Sequence, residues 1–171
     1  MGSPGEVVNS ASILEEVKRL QRMNERVEVE EERVKVVVFT CGGSRYGFYG
    51  AKVREILPPR EISWVPGLPG FLPGLINVRG DIESVVDLRV FLGLEAGDPS
   101  RCLIAMVAEG ECRFGVLLDS VEDVTDVAIQ AIQPPLPSLG SVRDLVAGEW
   151  KMGSEVVTLL DVQKLAARIM A

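Results

Sequence analysis

Histidine is absent from the 171-residue sequence. Its absence excludes Ser-His-Asp and Cys-His catalytic arrangements, histidine-ligated metal sites and any role as a histidine phosphodonor. The three cysteines, Cys41, Cys102 and Cys112, form no C-x-x-C pair, which is typical of reduced thiols in a cytoplasmic protein. The longest uncharged apolar run, residues 102–108, is far shorter than the ~20 residues needed to span a bilayer. We therefore expect a soluble cytoplasmic protein with no cofactor, no metal and no direct membrane insertion.

Aromatic residues and segregated positive charge are also scarce. Aromatics make up 5% of the sequence, so the core must be aliphatic, and the 25 valines favour β-strands. The net charge is −7 and the basic residues are scattered, which argues against a nucleic-acid partner. The glycines at positions 67, 70 and 74 precede no Gly-Lys-Ser/Thr segment, so no phosphate-binding loop is predicted. Adjacent acids such as Glu122 and Asp123 point to opposite faces of a strand, and we predict no enzyme.

An internal repeat is the main feature that the sequence does contain. When the chain is shifted by 68 residues, residues 36–56 match residues 104–124 without gaps. A shift of 74 residues matches 74–88 with 148–162 and pairs Gly74 with Gly148. We interpret this as duplication of one five-stranded unit, since closing each unit into a small barrel would remove its exposed edge strands. Chance similarity between valine-rich strands is the alternative, which the matched glycines and acidic positions disfavour.

The predicted elements follow the two copies. In the first copy, strands are predicted at residues 34–41, 44–49, 53–57, 75–78 and 84–88. Five prolines between positions 58 and 73 exclude a central strand there. Asp87 and Asp161 each precede a helical pattern, so we expect them to cap helices. The predicted boundaries are an N-terminal extension at 1–32 and a domain at 33–171, with a first barrel at about 34–93, a second at about 101–162 and a C-terminal helix at about 162–170.

An amphipathic helix is predicted in the N-terminal extension. Ser12 and Glu15 have the spacing of a capping box, which opens a helical pattern that continues to about Val27. Its apolar residues share one stripe: Ile13, Val17, Leu20 and Val27. We expect this helix to dock on the domain. A coiled coil is the alternative, although two heptads are short for one and Asn24 interrupts the stripe.

A polar pair within an apolar neighbourhood is the strongest binding-site candidate. Residues 74–80 read Gly-Leu-Ile-Asn-Val-Arg-Gly, in which Asn77 and Arg79 are predicted to lie on one face of a strand. Glu55 lies on another strand of the same predicted barrel, and we expect it to hold Arg79 beside Val53 and Ile56. Polar groups within an apolar rim are typical of protein interfaces. A solvated surface ion pair, worth about 0–1 kcal/mol, is the alternative.

The sequence resembles the CheW family, the chemotaxis adaptor proteins that join a histidine kinase to chemoreceptors. The resemblance covers about residues 34–169 and rests mainly on Val53-Arg54-Glu55-Ile56 and on residues 74–80, at this spacing and within a repeat. Further matching segments are residues 46–47, 65–69, 85–89, 114–116, 118–121 and 159–161. The resemblance implies a mainly β fold of two intertwined SH3-like five-stranded barrels, to which the N-terminal and C-terminal helices are added.

The resemblance also implies two partners and their binding residues. The cytoplasmic helical tip of a chemoreceptor would bind a surface formed by Val53, Glu55, Ile56, Gly74 and Arg79, with Gly115 and Val121 near the seam. The regulatory domain of the kinase would bind the far end of the first barrel, where the proline-rich loop carries Trp64, Leu68 and Phe71. These expectations describe a non-enzymatic cytoplasmic adaptor. The alternatives are an adaptor for another kinase–receptor system, such as surface motility, and a homotypic structural module that only oligomerises.

Overall fold

The computed structural model describes residues 11–22 and 31–171 of the chain, which divides into two units after Arg33. In the first unit, residues 11–22 form helix α1. Its apolar side chains are 45–63% exposed: Ile13, Leu14, Val17 and Leu20. The predicted helix is present over these residues, whereas Asn24, Val27 and residues 28–30 of the acidic stretch lie outside the described residues. Docking of the stripe on the domain stays a prediction.

The second unit contains ten strands and two α-helices among its described residues. The strands are β1 (Arg33–Cys41), β2 (Ser44–Tyr49), β3 (Val53–Leu57), β4 (Gly74–Val78), β5 (Asp81–Val86), β6 (Leu103–Glu109), β7 (Cys112–Leu118), β8 (Ser120–Ala128), β9 (Val146–Met152) and β10 (Glu155–Leu160). The helices are α2 (Leu88–Leu92) and α3 (Val162–Met170). Short 3₁₀ segments connect several of these elements.

The predicted strands of the first copy are present, with a shift at the fifth. β5 begins at Asp81 and ends at Val86, and Leu88 opens helix α2 instead of ending the strand. The reason is local, because the Asp87 carboxylate accepts a hydrogen bond from the Arg89 amide and caps the helix. Asp161 caps α3 in the same way, accepting from the amides of Gln163 and Lys164. Both predicted caps are confirmed.

The strands form two sheets that exchange strands between the halves of the chain. Sheet 1 has the order β8-β1-β2-β10-β9, and sheet 2 has the order β3-β6-β7-β5-β4. Replacing each strand by its copy in the other half converts one order into the other. The sheets are therefore equivalent products of the duplication. The predicted mainly β fold of two intertwined SH3-like five-stranded units is confirmed.

The contiguous barrel boundaries, in contrast, are wrong. Residues 34–93 supply β1 and β2 to sheet 1 but β3, β4 and β5 to sheet 2, and residues 101–162 divide in the converse way. The parallel pairs β2–β10 and β5–β7 each join strands of different halves. A strand and its copy carry the same apolar pattern, so pattern alone cannot distinguish which of the two completes a sheet.

Hydrogen bonding leaves both sheets open instead of closing them into full barrels. The edge strands are β3 and β4 in sheet 2, and β8 and β9 in sheet 1. A single bridge covers one edge of each sheet: Ser63 pairs with Leu75 beside β4, and Gln133 pairs with Glu149 beside β9. These bridges partly replace the barrel closure that the edge-strand argument predicted.

Two glycines of the parallel pairs lie under side chains of the neighbouring antiparallel strands. Gly47 pairs with Leu159, and Gly115 pairs with Val85 at the equivalent place in the other sheet. A Cβ atom at Gly47 would lie 2.8 Å from a Val36 methyl, and one at Gly115 would lie 2.7 Å from an Ile104 methyl. Both positions therefore require glycine for close packing.

One hydrophobic core is shared by the two sheets. It contains Phe39 and Phe48 from sheet 1 together with Val107 and Phe114 from sheet 2, each at most 1% exposed. Leu165 of helix α3 belongs to the same cluster. The shared core fixes one sheet against the other, so side chains on their surfaces are held in a common frame.

Candidate binding site around Glu55 and Arg79

The β4–β5 hairpin presents Arg79 in a backbone conformation that arginine rarely adopts. Val78 pairs with Asp81, which leaves Arg79 and Gly80 as a two-residue turn with φ angles of 52° and 91°. Positive φ at both central residues is the mark of a type I′ turn, which favours asparagine or glycine at the first. Arg79 is the one non-glycine residue with positive φ in the described part of the chain. The left-handed conformation costs about 1–2 kcal/mol, which its contacts must offset.

The predicted ion pair between Glu55 and Arg79 is confirmed, although Arg79 lies in the turn and not on the strand that carries Asn77. Nη1 of Arg79 donates to Oε1 of Glu55 at 2.8 Å, and Nη2 donates to Oε2 at 2.5 Å. The side chain of Arg79 is 74% exposed and that of Glu55 is 24% exposed. The contact is thus a bidentate pair at the surface, a geometry that fixes the plane of the guanidinium.

This ion pair spans the two edges of sheet 2. Glu55 lies on edge strand β3, and Arg79 adjoins the end of edge strand β4. The hydrogen bonds from Arg79 lower the pKa of Glu55 below its usual value, and the same bonds raise the pKa of Arg79. Both groups therefore stay ionised at neutral pH, and the Glu55 carboxylate is protonated only when the pH falls below the usual glutamate range. Because neither group changes its protonation state near neutral pH, the pair suits the binding of a partner and not proton transfer.

Apolar residues flank Glu55 along β3 and follow the turn on β5. Ile56 follows Glu55 on β3 and is 37% exposed, and Ile82 on β5 is 63% exposed. Ile82 lies directly across the hairpin from Asn77. Val53 is half-buried and packs against the shared core. Neighbouring residues of a strand point to opposite faces, so Ile56 lies on the face of β3 away from Glu55, and an aliphatic rim beside Arg79 stays a prediction.

Three other predicted receptor-site residues lie at packing positions. Gly74 is buried, and a Cβ there would lie 2.3 Å from the carbonyl oxygen of Ser63. Gly115 is buried in β7, and Val121 is half-buried in β8 of the other sheet, against the shared core. The two glycines shape the backbone of their strands. A direct part for these three residues in receptor binding stays a prediction.

The proposed kinase residues differ in their surroundings. Trp64 is 72% exposed, and Leu68 is half-buried. Phe71 packs on Phe91 of helix α2 with ring centroids 4.9 Å apart, and its carbonyl accepts a hydrogen bond from the Asp87 amide at 2.8 Å. Phe71 thus anchors the proline-rich loop to α2, whereas the Trp64 side chain of the same loop is exposed. Contact with a kinase stays a prediction for all three.

Sequence reasoning missed two residues around the β4–β5 hairpin. Ile82 is exposed next to the turn, and the Arg60 guanidinium donates to the Asn77 carbonyl at 3.0 Å. A two-residue turn at Arg79-Gly80 would have placed Ile82 opposite Asn77, so a signal for it existed. No pattern in the sequence connects Arg60, which lies in the loop after β3, with the hairpin.

A second charged cluster lies where the chain crosses between the sheets. The Arg89 side chain, 13% exposed, pairs with Asp119, which also accepts from the Gly42 amide at 2.7 Å. Burial, helped by the nearby Asp119 carboxylate, raises the pKa of the Cys41 thiol to about 12. Cys41 therefore stays protonated and is a poor nucleophile. This cluster joins elements of the fold and offers no reactive group.

The described residues contain neither a metal-binding cluster nor a membrane-spanning helix. Within residues 11–22 and 31–171, no group of three or more acidic or cysteine side chains is arranged to hold a metal ion. None of the helices in that part of the chain is both long enough and apolar enough to cross a membrane.

The fold and the site together define a class of protein: paired SH3-like sheets that carry an ordered ion pair at the surface. The family follows from direct comparison. A family model of the CheW-like domain matches residues 35–170, and the chain belongs to this family.

Individual relatives agree with this assignment. The chain is 28% identical to the chemotaxis protein CheW of Klebsiella aerogenes over 131 residues. The matched segment covers 75% of this chain and 79% of that protein. It is 28% identical to the protein FrzA of Myxococcus xanthus over 74% of this chain and 81% of that protein. The crystal structure of the scaffolding protein TtCheW from Thermoanaerobacter tengcongensis is similar with a TM-score of 0.70 and 27% identity, over 77% of this chain and 86% of that one.

Proposed function

We propose that this protein is a non-enzymatic, cytoplasmic chemotaxis adaptor that couples a histidine kinase to chemoreceptors. One face, around Glu55 and Arg79, binds the cytoplasmic helical tip of the receptor. A second face, around Trp64, Leu68 and Phe71, binds the regulatory domain of the kinase. Signal passes as a change in the relative geometry of the two partners, without chemistry on this chain.

The bidentate ion pair is the observation that carries the receptor-binding part. An exposed ion pair adds little to the free energy of folding, and a positive φ disfavours arginine. Stability alone therefore does not account for an arginine at this turn. Display of a fixed guanidinium to a partner does, because a side chain that is already ordered loses less entropy on binding.

Replacement of Arg79 tests the receptor site. We expect Arg79→Ala to weaken binding of a chemoreceptor helical-hairpin fragment by about tenfold or more, as for an interface arginine, and to leave the thermal midpoint nearly unchanged. Calorimetric titration measures the first and thermal unfolding the second. Arg101→Ala is the matched control, since Arg101 also forms an exposed ion pair, with Asp98 at 3.5 Å. A large loss of stability with binding intact would make Arg79 a structural residue.

Replacement of Trp64 tests the kinase site. We expect Trp64→Ala to weaken binding of a kinase regulatory domain in a pull-down while receptor binding persists, because Trp64 is exposed and its removal opens no cavity. Leu136→Ala is the control, since Leu136 is 51% exposed in the other half of the chain. Recovery of a kinase from a system other than chemotaxis would favour the alternative adaptor function. Failure to bind any kinase regulatory domain would favour a homotypic structural module.

A further inference from the structure

We infer that Asn77 is a positioning residue that holds Arg79 in its left-handed conformation for the receptor; the inference rests on the proposed function. The side-chain oxygen Oδ1 of Asn77 accepts a hydrogen bond from the amide of Gly80 at 2.8 Å. This bond connects β4 to the second residue of the turn and so closes a ring around Arg79. An asparagine side chain that bonds to a nearby amide is a recognised way to stabilise a tight turn.

The copy of this hairpin in the other half of the chain supports the inference. β9 and β10 pair from Met152 to Glu155, and the residue equivalent to Arg79 is Gly153, with a φ of 66°. The residue equivalent to Asn77 is Lys151, whose side chain has no acceptor for such a bond. Where glycine occupies the left-handed position, the supporting asparagine is missing, and where arginine occupies it, the asparagine is present.

Arg60 extends the support from a third element. Its guanidinium donates to the Asn77 carbonyl at 3.0 Å, from the loop that follows β3. Asn77 is thus held through its carbonyl and in turn holds the Gly80 amide, while Glu55 holds the guanidinium of Arg79. The backbone and the tip of Arg79 are fixed at separate points. Such preorganisation spares the receptor the cost of ordering a long side chain.

The first experiment compares Asn77→Ala with the wild-type chain in titrations against the helical-hairpin fragment of a chemoreceptor from the same genome. Loss of one hydrogen bond that orders the site should weaken binding about fivefold to tenfold. Asn77→Asp keeps an oxygen acceptor and should retain most of the affinity. Lys151→Ala, at the equivalent position of the other hairpin, should bind as the wild type does. Wild-type affinity for Asn77→Ala would overturn the inference.

A double-mutant cycle separates positioning from a direct contact. In an Arg79→Gly background the left-handed position costs nothing, and the side chain to be positioned is gone. Asn77→Ala should then change the residual affinity less than twofold, and it should change the thermal midpoint less than it does in the wild-type background. An equal loss of affinity in both backgrounds would mean that Asn77 itself contacts the receptor, which overturns the positioning role.

A measurement without receptor decides the matter if the fragment does not bind. Hydrogen exchange of the Gly80 amide and of the Arg79 Nη–H groups that bond to Glu55, followed by NMR, reports on the turn and on the held guanidinium. Asn77→Ala should accelerate both, at least tenfold, while amides in the β9–β10 hairpin are unaffected. A wild-type chain that fails to bind while Asn77→Ala accelerates exchange would refute the proposed receptor site and keep the positioning of Arg79. Unchanged exchange at Arg79 would refute the positioning even if receptor binding is confirmed.

Discussion

The hairpin β4–β5 and its copy β9–β10 pair their strands alike but turn with different residues. The first has Arg79 at the left-handed position, and the second has Gly153. Opposite them, Glu55 accepts both hydrogen bonds from Arg79, whereas its equivalent Asp123 has its carboxylate bonded to the neighbouring Val124 amide. Duplication thus provides a control within one molecule. The second hairpin shows what the fold needs, and the first shows what has been added to it.

The framework itself is the same in both halves. Gly47 and Gly115 occupy equivalent places in the two parallel pairs, and both helices that follow the fifth strands are capped by aspartate. The amides of Asp87 and Asp161 each donate a 2.8 Å bond, to Phe71 and Leu145 respectively. Residues that recur in both copies serve the architecture. Function is to be sought among the positions where the copies differ, and the predictions on the β unit test this division.

The largest effect is expected at a shared position. Gly74→Ala places a Cβ 2.3 Å from the Ser63 backbone oxygen, and Gly148→Ala places one 2.7 Å from that of Gln133. A backbone atom cannot yield as a side chain can, so we expect losses of about 3 and about 2 kcal/mol respectively. Denaturant unfolding measures both. Wild-type stability for either variant would show that the bridges at these edges are not required by the fold.

The next effect is expected at an asymmetric position in the interior. Arg89 pairs with Asp119, while the equivalent residues in the other copy are Gln163 and Ala51. Arg89→Ala leaves Asp119 without its cation, and because both groups keep some solvent access we expect a loss of about 2 kcal/mol. Gln163→Ala should cost less than ~0.5 kcal/mol. Equal losses in the two unfolding curves would contradict the asymmetry.

A smaller effect is expected when the first turn is copied into the second. Gly153→Arg puts a side chain at a φ of 66°, and we expect a loss of about 1 kcal/mol. Adding Lys151→Asn should recover about half of that loss, since the new side chain can bond to the amide of the following turn residue. Unfolding of the single and double variants compares them. If the second change brings no recovery, the two turns are not equivalent in geometry.

The smallest effect is expected in the N-terminal unit. Leu20→Asp tests whether the stripe of α1 docks on the β unit, and we expect it to detach the helix and lower the thermal midpoint slightly, because a buried carboxylate without a partner is costly. Binding of the kinase regulatory domain should persist. A fall in the thermal midpoint of the β unit would reveal that the stripe packs on it, as the sequence pattern predicts. Loss of kinase binding on removal of residues 1–30 would place the kinase site in the helix.

Sequence reasoning recovered the elements and the ion pair but not their arrangement. Strand positions and the helix caps depend on local patterns, and the pairing of Glu55 with Arg79 follows from spacing within one repeat. The predicted barrel boundaries missed the exchange of strands between the sheets. β3 and β8 have similar apolar patterns, so the pattern does not show which of them completes a given sheet. The turn conformation of Arg79 was missed because arginine does not signal a positive φ. Arg60 was missed because its partner is a backbone carbonyl, a group that every residue carries and that the sequence therefore does not mark.

The exchange of strands also sets an order for folding during synthesis. Sheet 2 draws its strands from β3 to β7, so all of it has been synthesised when the chain reaches Leu118. Sheet 1 requires β9 and β10. Its hairpin β1–β2 is synthesised first, but the sheet is incomplete until these last strands have been made. During that interval the Phe39 and Phe48 side chains of β1 and β2 lack part of the core that buries them. Pairings between distant parts of a chain form slowly and expose apolar surface meanwhile. The nascent protein therefore exposes part of this apolar surface until β10 has been translated.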